Sequence, residues 1–216
     1  MALFADRRAA GRVLAADLDS WRGSDAVVLG IARGGVVVAA VVARALALPL
    51  DAVVVRKLGA AGHEEFAVGA IADGVRIITA DAVRWAGMTP RDVERVETAE
   101  RDELRRRTAA YGTGHADLRG RTAIVIDDGV ATGASALAAC RALRTQQPSR
   151  IVLAVPVAPE EWEPPGDTVD EYVCPHRDAD FWAVGQYYDA FAQTSDAEVV
   201  ALLRDASTGS ATASGP

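Results

Sequence analysis

Cysteine is scarce in this chain, long apolar runs are missing, and so is any excess of positive charge. The only two cysteines are Cys140 and Cys174. They lack metal-ligand spacing and fall on expected buried elements, so they read as core thiols in a reducing compartment rather than as a disulfide or zinc framework. No stretch reaches the length of a membrane span; residues 36–48 are too few and are interrupted by Arg44. The opening Met-Ala-Leu-Phe-Ala-Asp-Arg-Arg has no apolar signal core, so no membrane partner and a cytoplasmic location are expected. A formal net charge of −7 argues against sequence-independent binding of nucleic acid, which needs a basic surface. What remains is 216 residues, half of them apolar, enough for one domain with one core. Residues 1–205 are expected to form that domain. Residues 206–216, rich in Ser, Thr, Gly and Ala, are expected to form a disordered tail.

The stretch Ile124-Val125-Ile126-Asp127-Asp128-Gly129-Val130-Ala131-Thr132-Gly133-Ala134-Ser135 organises the rest. Three β-branched residues followed by a glycine-bearing turn and a helix-forming run predict a buried parallel strand, a tight turn and a helix N-terminus. Such a turn presents backbone N–H groups and the positive end of a helix dipole, both suited to phosphate. Thr132 and Ser135 add hydroxyls, and Gly133 permits close approach. Asp127 and Asp128 repel phosphate, so their partners are sugar hydroxyls, a divalent cation, or both. Together these groups describe a site for a phosphorylated sugar. A surface Asp pair beside an ordinary Thr-capped helix is the plainer alternative.

A second glycine-rich turn, Gly30-Ile31-Ala32-Arg33-Gly34-Gly35, follows the apolar strand 26–29 and opens a helix over 36–46. Arg33 sits at the helix entrance with a fork of donors suited to phosphate oxygens. The spacing matches neither the dinucleotide fingerprint nor the phosphate loop of nucleotide hydrolases. The next strand, 51–55, ends in Arg56-Lys57-Leu58-Gly59, a basic pair that either meets an anion or simply closes the strand in solvent. Residues 60–66 are small and polar and predict a mobile loop. His63, Glu64 and Glu65 are its candidate acid/base groups, and His63 alone has a reference pKa near neutrality.

The acidic stretch resembles the signature of type I phosphoribosyltransferases, enzymes that bind phosphoribosyl pyrophosphate (PRPP). The resemblance implies an α/β fold with an open, mainly parallel sheet flanked by helices, plus a small hood near residues 175–195. It also implies that Asp127 and Asp128 bind the ribose hydroxyls and that Ala131, Thr132, Gly133, Ala134 and Ser135 cradle the 5′-phosphate. Arg33 and Gly34 fall in what resembles the family's pyrophosphate loop, and Arg56 and Lys57 match a basic pair beside the leaving group. Mg²⁺ is the implied cofactor, with Asp127, Asp128 and Asp189 as implied ligands. Phe181 or Trp182 matches an aromatic that stacks on the acceptor. A flexible loop over residues 60–66 would close on the substrate, which makes His63 and Glu65 candidates. Partners implied are PRPP, a small-molecule acceptor such as a nucleobase, and a second copy in a homodimer.

The position three residues beyond the acidic pair is Ala131, where hypoxanthine-type enzymes carry an Asp, and the first acid is Asp127 rather than Glu. The adenine, orotate and uracil style of signature is therefore closer, and the whole pattern is similar to bacterial predicted phosphoribosyltransferases of unestablished acceptor. Two functions stay open: transfer from PRPP with release of pyrophosphate, or a PRPP- or nucleotide-sensing regulator on the same fold.

Elsewhere the pattern predicts a packing helix over 6–21 with Asp6 as N-cap. A hairpin is predicted around Asp73-Gly74. Thr89 and Pro90 open a long helix ending near Tyr111, and beside the resembled family residues 81–114 look like a helical insertion. Arg105, Arg106 and Arg107 near that end suit the helix dipole, an anionic ligand or a second subunit. Strands are expected over 150–155 and 169–174. A capping box, Ser195-Asp196-Ala197-Glu198, starts a last helix over 197–204.

Overall fold

The structure, a computed structural model, describes residues 2–60, 63–114 and 116–211. It opens with α1 (Arg7–Asp17), whose Asp6 N-cap accepts a hydrogen bond from Ala9 N at 2.7 Å. Then come β1 (Val27–Ala32), α2 (Gly34–Leu46) and β2 (Leu50–Val54). Next are β3 (Arg56–Ala60), β4 (His63–Ala72) and β5 (Val75–Ile78), followed by α3 (Ala80–Trp85) and α4 (Pro90–Tyr111). The chain continues through β6 (Thr122–Ile126), α5 (Ala134–Arg144), β7 (Arg150–Ala154) and β8 (Val157–Pro159). It closes with β9 (Glu171–Val173), β10 (His176–Asp178), a short 3-10 turn (Val184–Tyr187) and α6 (Asp196–Ala211).

The expected open parallel sheet is present. Its five strands run in the order β2-β1-β6-β7-β9, all paired in parallel. Alternation along each strand sends successive side chains to opposite faces. Val27, Leu29 and Ile31 of β1, Ala123 and Val125 of β6, and Ile151 and Leu153 of β7 pack on one face with Ala138, Ala139 and Leu143 of α5. Val28, Ile124, Ile126, Val152 and Ala154 face the other way, onto Leu14 of α1 and Val38, Val42 and Leu46 of α2. Both faces are covered, which explains why these strands read as unbroken apolar runs.

The connections after β1 and β6 depart in opposite directions, α2 leading to β2 and α5 leading to β7. A crevice therefore opens at the carboxyl ends of β1 and β6, where open α/β sheets bind their ligands. Two small sheets flank it. β3, β4 and β5 form an antiparallel meander turned by Asp73-Gly74, with Gly74 at φ +67°. β8 pairs in parallel with β10 in the hood segment.

The segment 81–114 is mostly helical, in α3 and α4. Thr89 and Asp92 form a reciprocal capping box, and Gly112 closes α4 in a left-handed conformation at φ 59°. Three of its 22 residues are buried, Val93, Leu104 and Tyr111, so a narrow strip docks it. Leu104 and Tyr111 pack with Leu58 of β3 and Val199 and Leu203 of α6.

The structure departs from the sequence reading at several points, among them the following. The basic pair does not end β2: the chain breaks at Val55, and Arg56 starts β3. The loop expected over 60–66 is shorter, because β4 already begins at His63; residues 61 and 62 lie outside the described residues. The strand expected over 169–174 shortens to Glu171–Val173. The last helix runs to Ala211, beyond the expected start of a tail at Ala206. Residues 212–216 lie outside the described residues.

Candidate active site

The crevice holds a cleft of about 300 Å³ lined by both glycine-bearing turns and by Lys57. The first turn, after β1, contributes Ile31, Ala32, Arg33 and Gly34; the second, after β6, contributes every residue from Asp127 to Ala136. Val184 and Phe191 close the hood side. The turns lie close because β1 and β6 are neighbours, and glycines make that proximity possible. A Cβ on Gly35 would lie 2.6 Å from Ile126 O. A Cβ on Gly34 would collide with Asp128 Oδ2 and with Arg7 Nε. Gly133 starts α5 at φ +79°, and the indole of Trp162 lies against it. The Ala32–Arg33 peptide is cis.

The two carboxylates are held differently. Asp127 Oδ1 accepts the backbone N–H of Asp128 at 2.9 Å, and among the described residues no cation comes within ion-pair distance of it. Burial, then the charge of Asp128, pushes its carboxyl well above the usual range. Asp128 is also raised by burial, but the guanidinium of Arg7 opposes the shift. Arg7 Nε meets Asp128 Oδ2 at 2.7 Å, with the two side chains 11% and 15% exposed. Arg7 also lies 4.0 Å from the centre of the Phe191 ring and donates to Ala192 O. Tyr188 donates its hydroxyl to Asp128 O at 2.6 Å.

Most sequence candidates meet in this cleft: Arg33, Gly34, Lys57, Asp127, Asp128, Ala131, Thr132, Gly133, Ala134 and Ser135. Lys57, the one lysine of the chain, makes no ion pair among the described residues. Arg56 does not join it. Adjacent residues of a strand face opposite ways, and Arg56 Nε instead donates to Glu100 Oε2 of α4 at 2.5 Å. Phe181 stacks on Tyr187 with centroids 5.4 Å apart, and Trp182 is 80% exposed. Neither lines the cleft; Phe191 does. Asp189 is likewise off the cleft, an exposed residue whose carboxylate accepts from Ala2 N at 3.2 Å. The spacing that selected Phe181, Trp182 and Asp189 assumed one hood geometry, whereas the β8–β10 pair and the Val184–Tyr187 turn carry these residues elsewhere. His63 and Glu65 have their backbone in β4; their side chains lie outside the described residues.

Phe191 lines the cleft, and Arg7, Tyr188 and Trp162 touch residues that line it; the sequence reveals none of the four. Arg7 gives no local signal, because it sits in a helix that otherwise reads as packing and is 121 positions from its partner. Tyr188 and Phe191 follow the aromatics Phe181 and Trp182 closely, but nothing in their spacing marks them out.

Residues 5–191 match the phosphoribosyl transferase domain, and the chain belongs to that family. "Putative phosphoribosyl transferase Rv0571c" of Mycobacterium tuberculosis H37Rv and its counterpart MT0597 in strain CDC 1551 are each 46% identical to it over 207 residues. Those matches cover 94% of this chain and 47% of each relative, so the chain spans about half the length of the curated relatives it matches. The crystal structure of TT1426 from Thermus thermophilus shares 41% identity and superimposes with a TM-score of 0.72, covering 94% of this chain and 98% of that one.

Proposed function

We propose that this chain transfers the 5-phosphoribosyl group of PRPP to a small-molecule nitrogen acceptor and releases pyrophosphate. One observation carries the reading: Asp127 and Asp128 line the same cleft as Thr132, Ser135, Arg33 and Lys57. Diol-binding acids, an anion cradle and two cations thus surround one cavity. The family membership supports it.

The 5′-phosphate is assigned to the turn from Ala131 to Ser135, where backbone N–H groups, two hydroxyls and the start of α5 point at it. Asp127 and Asp128 accept from the ribose 2′- and 3′-hydroxyls. That binding fixes C1 of the ribose between the acceptor and the pyrophosphate. As the C1–O bond to pyrophosphate breaks and the acceptor nitrogen bonds to C1, negative charge grows on the leaving oxygens. Arg33 and Lys57 stabilise it from the turn after β1 and the start of β3. The remaining rate gain comes from positioning.

Mg²⁺ fits the donors present. Asp127 offers a hard oxygen with no paired cation, while among the described residues no cluster of three or more His, Cys, Asp or Glu forms a protein-only site. Such an ion is characteristically held by one or two carboxylates plus substrate phosphates. Held by Asp127, with Asp128 beside it, it would supply charge neutralisation to the leaving group.

The test is calorimetric titration of PRPP with Mg²⁺, followed by assay of pyrophosphate release over a panel of nucleobases and related amines. Saturable PRPP binding with release on at least one acceptor is expected. Binding with no release on any acceptor would favour a sensor, and absence of binding would refute the reading altogether.

A further inference from the structure

A carboxylate outside the signature turns, from the far end of the chain, approaches Arg33, which lines the cleft. Asp196, the first residue of α6, divides its two oxygens between partners. Oδ2 accepts from Arg106 Nη2 at 2.7 Å. Oδ1 accepts the hydroxyl of Tyr111 at 2.6 Å and lies 3.8 Å from Arg33 Nη1 and 3.9 Å from Arg107 Nε. Glu103 in turn accepts from both Arg106 and Arg107. Three guanidiniums therefore converge on two carboxylates, leaving one positive charge in surplus.

The surplus has an address. Arg106 and Arg107 are each bound at hydrogen-bonding distance, whereas the Arg33 guanidinium forms no hydrogen bond among the described residues and touches Asp196 only at ion-pair range. Arg33 also lines the cleft. It is the one member of the group free to engage a second anion while Asp196 limits where it can swing. The hydrogen bonds that Asp196 receives hold its acid low, at about 2, so it stays charged at any working pH. The run Arg105-Arg106-Arg107 also finds its use here, apart from Arg105, which pairs with Asp102 at the surface.

We propose that Asp196, braced by Arg106 and Tyr111 of α4, is a positioning residue that aims Arg33 at the pyrophosphate of bound PRPP. The helical insertion is thereby a working part of the site rather than a surface addition. Holding a long, rotatable side chain near its binding pose lessens the ordering that the ligand must otherwise impose. This rests on the reading of the cleft as a PRPP site.

The experiment compares two probes on the full chain: PRPP with Mg²⁺, which reaches Arg33, and ribose 5-phosphate, which lacks the pyrophosphate. Asp196→Asn should weaken PRPP binding about 5- to 10-fold and leave ribose 5-phosphate within about twofold. Asp196→Glu should recover part of the loss. In an Arg33→Ala background, Asp196→Asn should add little, because the residue it aims is gone. Tyr111→Phe, a gentler change that keeps the ring in its core position, should give a smaller loss selective for PRPP. Equal losses on both probes, or unchanged PRPP binding in Asp196→Asn and Tyr111→Phe, would overturn the positioning role while leaving PRPP binding by the wild type intact. Failure of the wild type to bind PRPP at all would sink the functional reading together with this one.

Discussion

The turn after β6 and the hood segment face each other across the cleft, yet they treat their polar groups in opposite ways. In the turn, Asp127 has no paired cation among the described residues, and Thr132 stands exposed. In the hood the polar and aromatic groups satisfy one another. Tyr187 donates to Asp178 at 2.8 Å, Tyr188 donates to Asp128 O, Phe181 stacks on Tyr187, and Phe191 stacks on Tyr188. The turn leaves Asp127 without an ion-pair partner among the described residues and Thr132 open to solvent, whereas the hood commits its groups to internal contacts. Binding energy should therefore concentrate in the turn, while the hood should act mainly through shape.

The sharpest test of that contrast is the acidic pair. Asp127→Asn together with Asp128→Asn should weaken PRPP binding by about 100-fold or more by calorimetry, since each charged acceptor of a ribose hydroxyl becomes a neutral amide. Asp127→Asn alone carries a second expectation with a definite sign. Burial raises the folded-state pKa of Asp127, so the folded chain binds more protons than the unfolded one between pH 3.8 and that raised value. Stability of the ligand-free chain then falls as pH rises through the window. Asn removes the charge, so in thermal melts the stability of the variant relative to wild type should rise as pH increases through that window. A variant whose Tm relative to wild type stays flat or falls as pH rises, with full PRPP affinity, would break the comparison.

Smaller effects follow. Lys57→Ala should slow pyrophosphate release about 100-fold while barely changing ribose 5-phosphate affinity; equal losses would refute its place beside the leaving group. Gly34→Ala should cost roughly 1–3 kcal/mol in denaturant unfolding, because the added methyl meets Asp128 and Arg7. Phe191→Ala should cost about 1–2 kcal/mol through the lost contact with the Arg7 guanidinium and Tyr188. Trp182→Ala, on an 80% exposed side chain, should stay within about 0.5 kcal/mol. A larger loss at Trp182 than at Phe191 would reverse the roles assigned within the hood.

The same contrast governs what the residues alone made legible. The strand, the acidic pair, Thr132 and Ser135 were legible because a dozen consecutive residues build that half of the site, and backbone geometry within a turn is written locally. Capping was equally legible at Asp6 and Thr89, whose partners lie three residues away. Lys57 was readable, but its neighbour Arg56 was not, because which face of β3 looks at the cleft depends on how that sheet docks. The hood candidates failed for a related reason. Spacing borrowed from another hood fixes a side chain only when the intervening loop has the same path. Arg7 and Asp196 were beyond reach because each acts on a residue more than a hundred positions away in sequence.

A chain with one lysine offers a chemical handle that most proteins lack. Lys57 is exposed and lines the cleft, so an amine-directed acylating reagent has one lysine target in this chain. Peptide mapping will separate that adduct from any on a terminal amine. Shielding of Lys57 by PRPP, measured as the adduct's rate of appearance, would then report occupancy without knowledge of the acceptor.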